Sequence, residues 1–331
     1  MTNQLEHNGE LVESRAAGGW VVDGHGDVRC ESVCIENGIQ FFDCIEFNNR
    51  FRCGDVAGEI AFLAMDLDAL GRPDLGYFAT ERYAAHSGDT NLFRLLPLYR
   101  CYRAFVRGKV LGFRLDEQEF TSAEKQLAAT RAAAYFDLAL HYASPLTQRT
   151  IIVVSGLSGT GKTAVARGIA SELGGRTLST DSIRKDLFGA AKTQARFGEG
   201  AYSDSANERT DDALVKLART QVISDCLTVV EGTFLKQWQR AKVEQLARES
   251  RANLRAIECW TPSEIALQRI EKRNSNQDGF SDATREIYLR QLEEDGVAKW
   301  EQHPLALDTQ SEIASCVRNA TKWLREKDIA T

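Results

Sequence analysis

The chain has 331 residues, 43% of them hydrophobic and 27% charged, with a formal net charge of −6; this length suits two domains better than one core. The acid excess speaks against a general electrostatic grip on duplex nucleic acid, while leaving room for a local basic pocket that holds one phosphate group. No apolar run approaches the roughly 18 residues a membrane span needs, and Met1-Thr-Asn-Gln-Leu-Glu-His lacks the basic start and apolar stretch of an export signal, so a cytoplasmic protein without a membrane partner is expected.

The opening twenty residues are polar and aperiodic, and a loosely ordered segment is expected there. Order is expected from Trp20. Val33-Cys-Ile35 and Ile39-Gln-Phe-Phe-Asp43 flank Asn37-Gly38, a hairpin signal. Of the eight cysteines, Cys30, Cys34, Cys44 and Cys53 lie close together without any C-x-x-C pair, so small buried thiols are expected rather than zinc ligands. Asp27 on the loop before the hairpin and Asp43 at the end of its second strand are two acids able to converge. HGDVRCESV (residues 25–33) and FFDCIEF (residues 41–47) resemble the C-terminal lobe of the aminoglycoside phosphotransferase and protein-kinase-like fold. The resemblance implies a catalytic base at Asp27 and a Mg²⁺ ligand at Asp43, with Ser32 where the family carries an asparagine as its second metal ligand. Roughly twenty polar residues leave no room for the lobe that supplies the phosphate-binding lysine, so a degenerate lobe serving structure or substrate contact is expected. Helices are predicted over 59–70, 91–110 and 123–143, with Pro97 capping or kinking the second. Arg94, Arg100, Arg103 and Arg107 are expected on a solvated helix face rather than at an anion site. Residues 144–149 read as a linker.

Thr150-Ile-Ile-Val-Val-Ser155 is a short β-branched run, predicted as a buried parallel strand. It leads into Gly156-Leu157-Ser158-Gly159-Thr160-Gly161-Lys162-Thr163, which matches G-x-x-x-x-G-K-[ST] without a mismatch, and a helix is predicted from Ala164 to the stop at Gly174-Gly175. In this order, successive backbone N–H groups close around a polyphosphate and the helix N-terminus adds partial positive charge. Residues 156–164 thus form a seat for ATP, with Lys162 placed for the β- and γ-phosphates and Thr163 for Mg²⁺.

A second strand over 176–180 ends in Asp181-Ser-Ile-Arg184, an acid positioned to take a proton beside the phosphate loop; the alternative is a helix N-cap with Arg184 as surface charge. Residues 192–207 read as a polar insert near the substrate side, anchored by Phe197 and Tyr202, before a helix over 210–226. The third strand ends in Glu231, read as an indirect Mg²⁺ ligand against a structural carboxylate. After a strand over 254–260, Thr261-Pro262-Ser263-Glu264 predicts a capping box. That register sets Arg269 and Arg273 on one face before residues 274–279, a lid that neutralises charge on the transferred phosphoryl group, with a solvated face as the alternative. Ser281 is predicted to cap another helix, followed by a strand over 305–308 and a helix over 314–324.

GLSGTGKT, STDSIRKDLFG (residues 179–189), VVEGTF (residues 229–234), the arginine pair and SDA (residues 281–283) resemble the P-loop kinases, in particular the branch with gluconate kinases, polynucleotide 5′-kinases and zeta-toxin-like kinases. The resemblance implies ATP and Mg²⁺, Asp181 as the base for a substrate hydroxyl, and Arg184 as a contact to a substrate phosphate or carboxylate. Relatives often carry aspartate and alanine where Glu231-Gly232 stand. Together the halves resemble bacterial proteins that fuse an aminoglycoside-phosphotransferase part to an ATP-binding part, here without the first lobe. The expected fold is α/β: a P-loop domain over 148–331 with a parallel sheet flanked by helices, preceded by a mostly helical kinase-like lobe over 1–147. The expected activity is transfer of the γ-phosphoryl group to a hydroxyl of a small molecule or nucleotide. An ATP-dependent switch without transfer, or transfer by Asp27 and Asp43, are the alternatives. The acceptor, the adenine pocket and the oligomeric state are not legible.

Overall fold

The computed structural model describes residues 2–144, 146, 148–189, 200–223, 227–276, 283–294 and 299–329, with backbone alone for 2–7 and 275–276. The chain divides into two compact units, Met1–Pro145 with Ser171–Gly174 and Leu146–Ala170 with Gly175–Thr331. No described helix is long and apolar enough to cross a membrane.

The first unit is mostly helical. Helix α1 (Thr2–Ala17) precedes β1 (Val21–Asp23), β2 (Val33–Cys34), β3 (Gln40–Phe41), α2 (Asn49–Arg52) and β4 (Cys53–Asp55). Four longer helices follow: α3 (Val56–Ala69), α4 (Pro73–Ser87), α5 (Leu92–Phe113) and α6 (Ser122–Tyr142). β1 pairs antiparallel with β4, and β2 with β3. Asn37 (φ 56°) and Gly38 (φ 111°) turn the hairpin, as the Asn-Gly signal predicts. The Asp55 carboxylate opens α3 by accepting from Ala57 N at 2.9 Å, and Thr121 with Glu124 forms a capping box on α6. Phe62, Met65, Cys101, Ala104, Ala139 and Tyr142 pack as the core between α3, α5 and α6.

Several expectations for this half are corrected. The opening segment is a helix, held by Arg15, which is buried between Asp55 (2.7 Å) and Asp89 (2.5 Å). Two carboxylates compensate the desolvated guanidinium, and both lie far along the chain from it. Two of the α5 arginines, Arg100 and Arg103, do not lie on a solvated face. Arg100 is fully buried, 3.3 Å from Asp68 Oδ2 and over the Tyr142 ring, while Arg103 donates to Gly26 O at 2.9 Å and stacks on Phe62 at 4.6 Å. Pro97 lies inside α5, which runs through it, so it does not cap the helix. Cys44 and Cys53 are exposed free thiols and Cys30 and Cys34 are half-buried, so none of these four is a buried thiol.

The second unit is built on five strands: β5 (Thr150–Ser155), β6 (Arg176–Ser179), β7 (Thr228–Glu231), β8 (Asn253–Trp260) and β9 (Leu305–Asp308). All pair parallel, in the order β6-β7-β5-β8-β9. The connecting helices are α7 (Lys162–Leu173), α8 (Thr180–Phe188), α9 (Asp204–Ile223), α10 (Gln237–Glu249), α11 (Ser263–Asn276), α12 (Arg285–Glu294) and α13 (Ile313–Ile329). Every residue of β5 is buried, which is why its middle, residues 151–154, reads as an unbroken apolar run. Ile151, Val153 and Val230 from the sheet pack against Leu214 and Val222 of α9 and Val243 and Leu246 of α10. The chain leaves β5 toward β6 but leaves β7 toward β8, so a crevice opens at the adjacent carboxyl ends of β5 and β7. Register pairs Val154 with Glu231 and Ser179 with Glu231, which brings the ends of β5, β6 and β7 level.

Candidate functional site

The loop from Gly156 to Thr163 leaves the end of β5 and runs into α7. Gly156, Gly159 and Gly161 have φ of 145°, 80° and 79°, a backbone that side chains disfavour. Space forbids them too: a Cβ on Gly156 would overlap the Cys259 carbonyl oxygen, and one on Gly159 would lie 2.5 Å from the Ala266 carbonyl oxygen. The loop is therefore wedged against β8 and α11. Burial pushes the neighbouring Cys259 thiol up to about 12, so it stays protonated. Inside the loop, Thr160 Oγ1 donates to Leu157 O at 2.8 Å and Lys162 Nζ to the same oxygen at 3.3 Å. Ser158 N donates to Gln291 Oε1 of α12 at 2.9 Å, a contact with no sequence signal.

Thr163 and Glu231 meet at the crevice, with the Thr163 hydroxyl donating to Glu231 Oε1 at 2.8 Å. Glu231 is 3% exposed. Beyond it the chain turns through Phe234, whose left-handed backbone (φ 50°) is held by Arg240 Nε donating to its carbonyl at 2.8 Å. A hydroxyl and a carboxylate oxygen held together at a strand end are hard donors that suit a divalent cation.

Asp181 lies in the first turn of α8, whose N-cap is Ser179 with no side-chain cap bond. It is therefore not the N-cap. Arg184, one turn on, is buried rather than a surface charge: its Nη1 lies 2.9 Å from Asp181 Oδ1, its Nη2 donates to Asn207 Oδ1 at 3.1 Å, and it stacks on Tyr202 at 4.7 Å. Tyr202 stands in a short 3₁₀ turn at the end of the predicted insert, and Asn207 in α9, which starts six residues before the predicted helix. Residues 192–199 of that insert, with Phe197, lie outside the described residues. Lys162, Asp181, Arg184 and Tyr202 line one cleft, walled also by Trp238 of α10 and Gln291 of α12.

Arg269 and Arg273 do not line that cleft. Arg269 donates to the Thr309 carbonyl at 2.6 Å and lies beside Gly161; the backbone carbonyl of the preceding Thr160 accepts from Thr309 Oγ1 at 2.7 Å. Arg273 donates to Ala283 O at 3.4 Å. Of the predicted lid, residues 277–279 lie outside the described residues, as does the Ser281 cap. The cap seen on α12 is Thr284, whose Oγ1 accepts from Ile287 N at 3.3 Å. The capping box predicted at Thr261 is not formed, because its buried hydroxyl has no hydrogen-bond partner.

In the first unit, Phe42 N donates to Ser32 O at 3.1 Å and His25 Nε2 lies 2.8 Å from Phe42 O, which sets the loop carrying Asp27 against the end of β3. Both Asp27 carboxylate oxygens accept from Arg29, at 3.0 and 2.7 Å, and the Ser32 hydroxyl donates to Asp27 O at 3.1 Å. Asp43 is exposed, with φ 61°.

Residues 151–294 match the family described as AAA domain. An uncharacterized protein of Mycobacterium bovis and one of Mycobacterium tuberculosis are 33% identical over 281 residues, covering 84% of this chain and 54% of theirs. The chain thus spans about half the length of the curated relatives it matches. Among solved structures, a sugar kinase from Janibacter sp. HTCC2649 is similar at 20% identity over 53% of this chain and 94% of that one (TM-score 0.43). A gluconokinase from Sinorhizobium meliloti 1021 is similar at 19% over 54% and 95% (TM-score 0.41). The glycine loop between β5 and α7, with the matched family spanning it, makes residues 151–294 a P-loop domain.

Proposed function

We propose that residues 148–331 transfer the γ-phosphoryl group of ATP to a hydroxyl of a small molecule or nucleotide. The observation that carries this reading is the single cleft lined by Lys162 of the glycine loop and by Asp181 with Arg184. Lys162 and the amides of residues 156–164 bind the β- and γ-phosphates. Asp181 accepts the proton of the acceptor hydroxyl. The oxygen so freed forms its bond to the γ-phosphorus as the bond to the β-phosphate oxygen breaks, and ADP leaves. Arg184 orients the Asp181 carboxylate. Arg269, beside Gly161, balances charge on the phosphates held by the glycine loop. Thr163 directly and Glu231 indirectly would hold Mg²⁺, which when bound neutralises phosphate charge.

Residues 1–147 serve in this reading as a kinase-like lobe of structural role, since Arg29 engages both carboxylate oxygens of Asp27. The test is ADP release by the full chain with ATP and Mg²⁺ across a panel of hydroxyl acceptors. Acceptor-dependent release that persists in Asp27→Ala supports the reading. Tight ATP binding with no stimulation by any acceptor would assign the domain to an ATP-dependent switch.

A further inference from the structure

Two buried polar atoms of residues lining the cleft have no hydrogen-bond partner: Arg184 Nε, a donor, and Glu294 Oε2, an acceptor. Arg184 is 8% exposed. Buried polar atoms are seldom left unmatched, and each is open to a ligand group or an ordered water. Hydroxyl groups suit both kinds of atom, because a hydroxyl accepts from a guanidinium donor and donates to a carboxylate acceptor. A phosphate or carboxylate only accepts.

The charges of the cleft point the same way. Arg184 is matched by Asp181 at 2.9 Å and Lys236 by Glu294 at 3.0 Å, while Asp204 adds a further carboxylate. With Lys162 occupied by the phosphates of ATP, every other lining cation among the described residues is already paired, and an anionic acceptor would meet Asp204 as the one carboxylate beyond those pairs. The rest of the wall includes the amides of Asn207 and Gln291 and the indole of Trp238, which is 37% exposed and carries the Lys242 ammonium 5.0 Å from its ring centre. A part-exposed indole beside amides and carboxylates offers a flat apolar surface to ring C–H groups and polar partners to the hydroxyls at their rim.

On the kinase reading, we infer that the acceptor is an uncharged polyhydroxylated ring, of the sugar or cyclitol class. This departs from the substrate phosphate or carboxylate contact that the resemblance implies for Arg184, whose terminal nitrogens are engaged by Asp181 and Asn207.

The test gives the full chain ATP, Mg²⁺ and either unmodified hexoses, pentoses and cyclitols or the matching aldonates, uronates, sugar phosphates and nucleoside monophosphates, with products read by mass spectrometry. Transfer to a neutral ring is expected. Trp238→Ala should raise the KM for that acceptor about tenfold with the KM for ATP within about twofold, and Glu294→Gln, which keeps the side chain's shape, should move KM the same way. Preferred transfer to an anionic acceptor, or an acceptor KM unmoved in both variants, overturns the inference and leaves the kinase reading standing. Bound ATP with no transfer to any acceptor overturns both.

Discussion

The Thr163 hydroxyl donates to the Glu231 carboxylate at 2.8 Å, tying the first turn of α7 to the end of β7 across 68 residues of sequence. Glu231→Gln keeps the shape and removes the charge. The apparent Mg²⁺ affinity in the presence of ATP is expected to fall about 10- to 100-fold, by analogy with the loss of residues that support a metal's direct ligands. A Mg²⁺ titration at fixed ATP checks it, and an unchanged titration would make Glu231 a structural carboxylate.

Gly156 sits under the Cys259 carbonyl with φ 145°. Gly156→Ala meets both a forbidden backbone and an overlap with main chain that has no rotamer to yield. Roughly 2 kcal/mol or more of stability should be lost, together with nucleotide binding. Thermal unfolding with and without ATP reads both, and a Tm equal to that of the parent chain would show that the loop is not packed against β8.

Arg15 is buried against Asp55 and Asp89. Arg15→Met leaves two carboxylates without their cation, and breaking a buried pair in this way costs about 3–5 kcal/mol. Hydrogen exchange of the α1 amides should rise sharply, since Arg15 ties that helix to both carboxylates. Exchange at the parent rate would mean that α1 is held by other contacts.

Burial raises the Asp211 carboxyl above the ordinary aspartate range, against the opposing bond from Gln239 Nε2 at 2.9 Å. The folded state then holds the proton more tightly than the unfolded state. Its contribution is full below the unfolded value of about 4 and is lost as pH rises through the raised folded value. Asp211→Asn should therefore be more stable than the parent chain at pH 8, with the gap closing toward pH 4. A gap of the same size at both pH values would contradict this.

Where structure follows from contacts near in sequence, it was legible. The strand-loop-helix around Lys162, the Asn37-Gly38 turn and the strands ending in Glu231 and Trp260 all rest on local patterns of apolar, glycine and turn residues. Helix α1 was missed because its anchor pairs Arg15 with residues 40 and 74 positions away. Arg100 and Arg103 were misread because spacing shows which residues share a face but not whether that face meets water or Phe62 and Tyr142. At the site, Asp181 and Arg184 stood out by their place after a strand. Gln291 did not, because it reaches Ser158 N across 133 residues from an unremarkable helix. Trp238 and Asn207 likewise join the cleft only through tertiary packing.

Lys162 and Asp181 line one cleft, and the proposed division of labour between them is best tested by measuring ATP affinity and acceptor-dependent ADP release in Asp181→Asn beside Lys162→Ala. Asp181→Asn is expected to bind ATP within about threefold of the parent chain while losing turnover by about 100-fold or more; Lys162→Ala should lose both. Full turnover in Asp181→Asn, or equal loss of binding and turnover there, would contradict Asp181 as the group that takes the acceptor's proton.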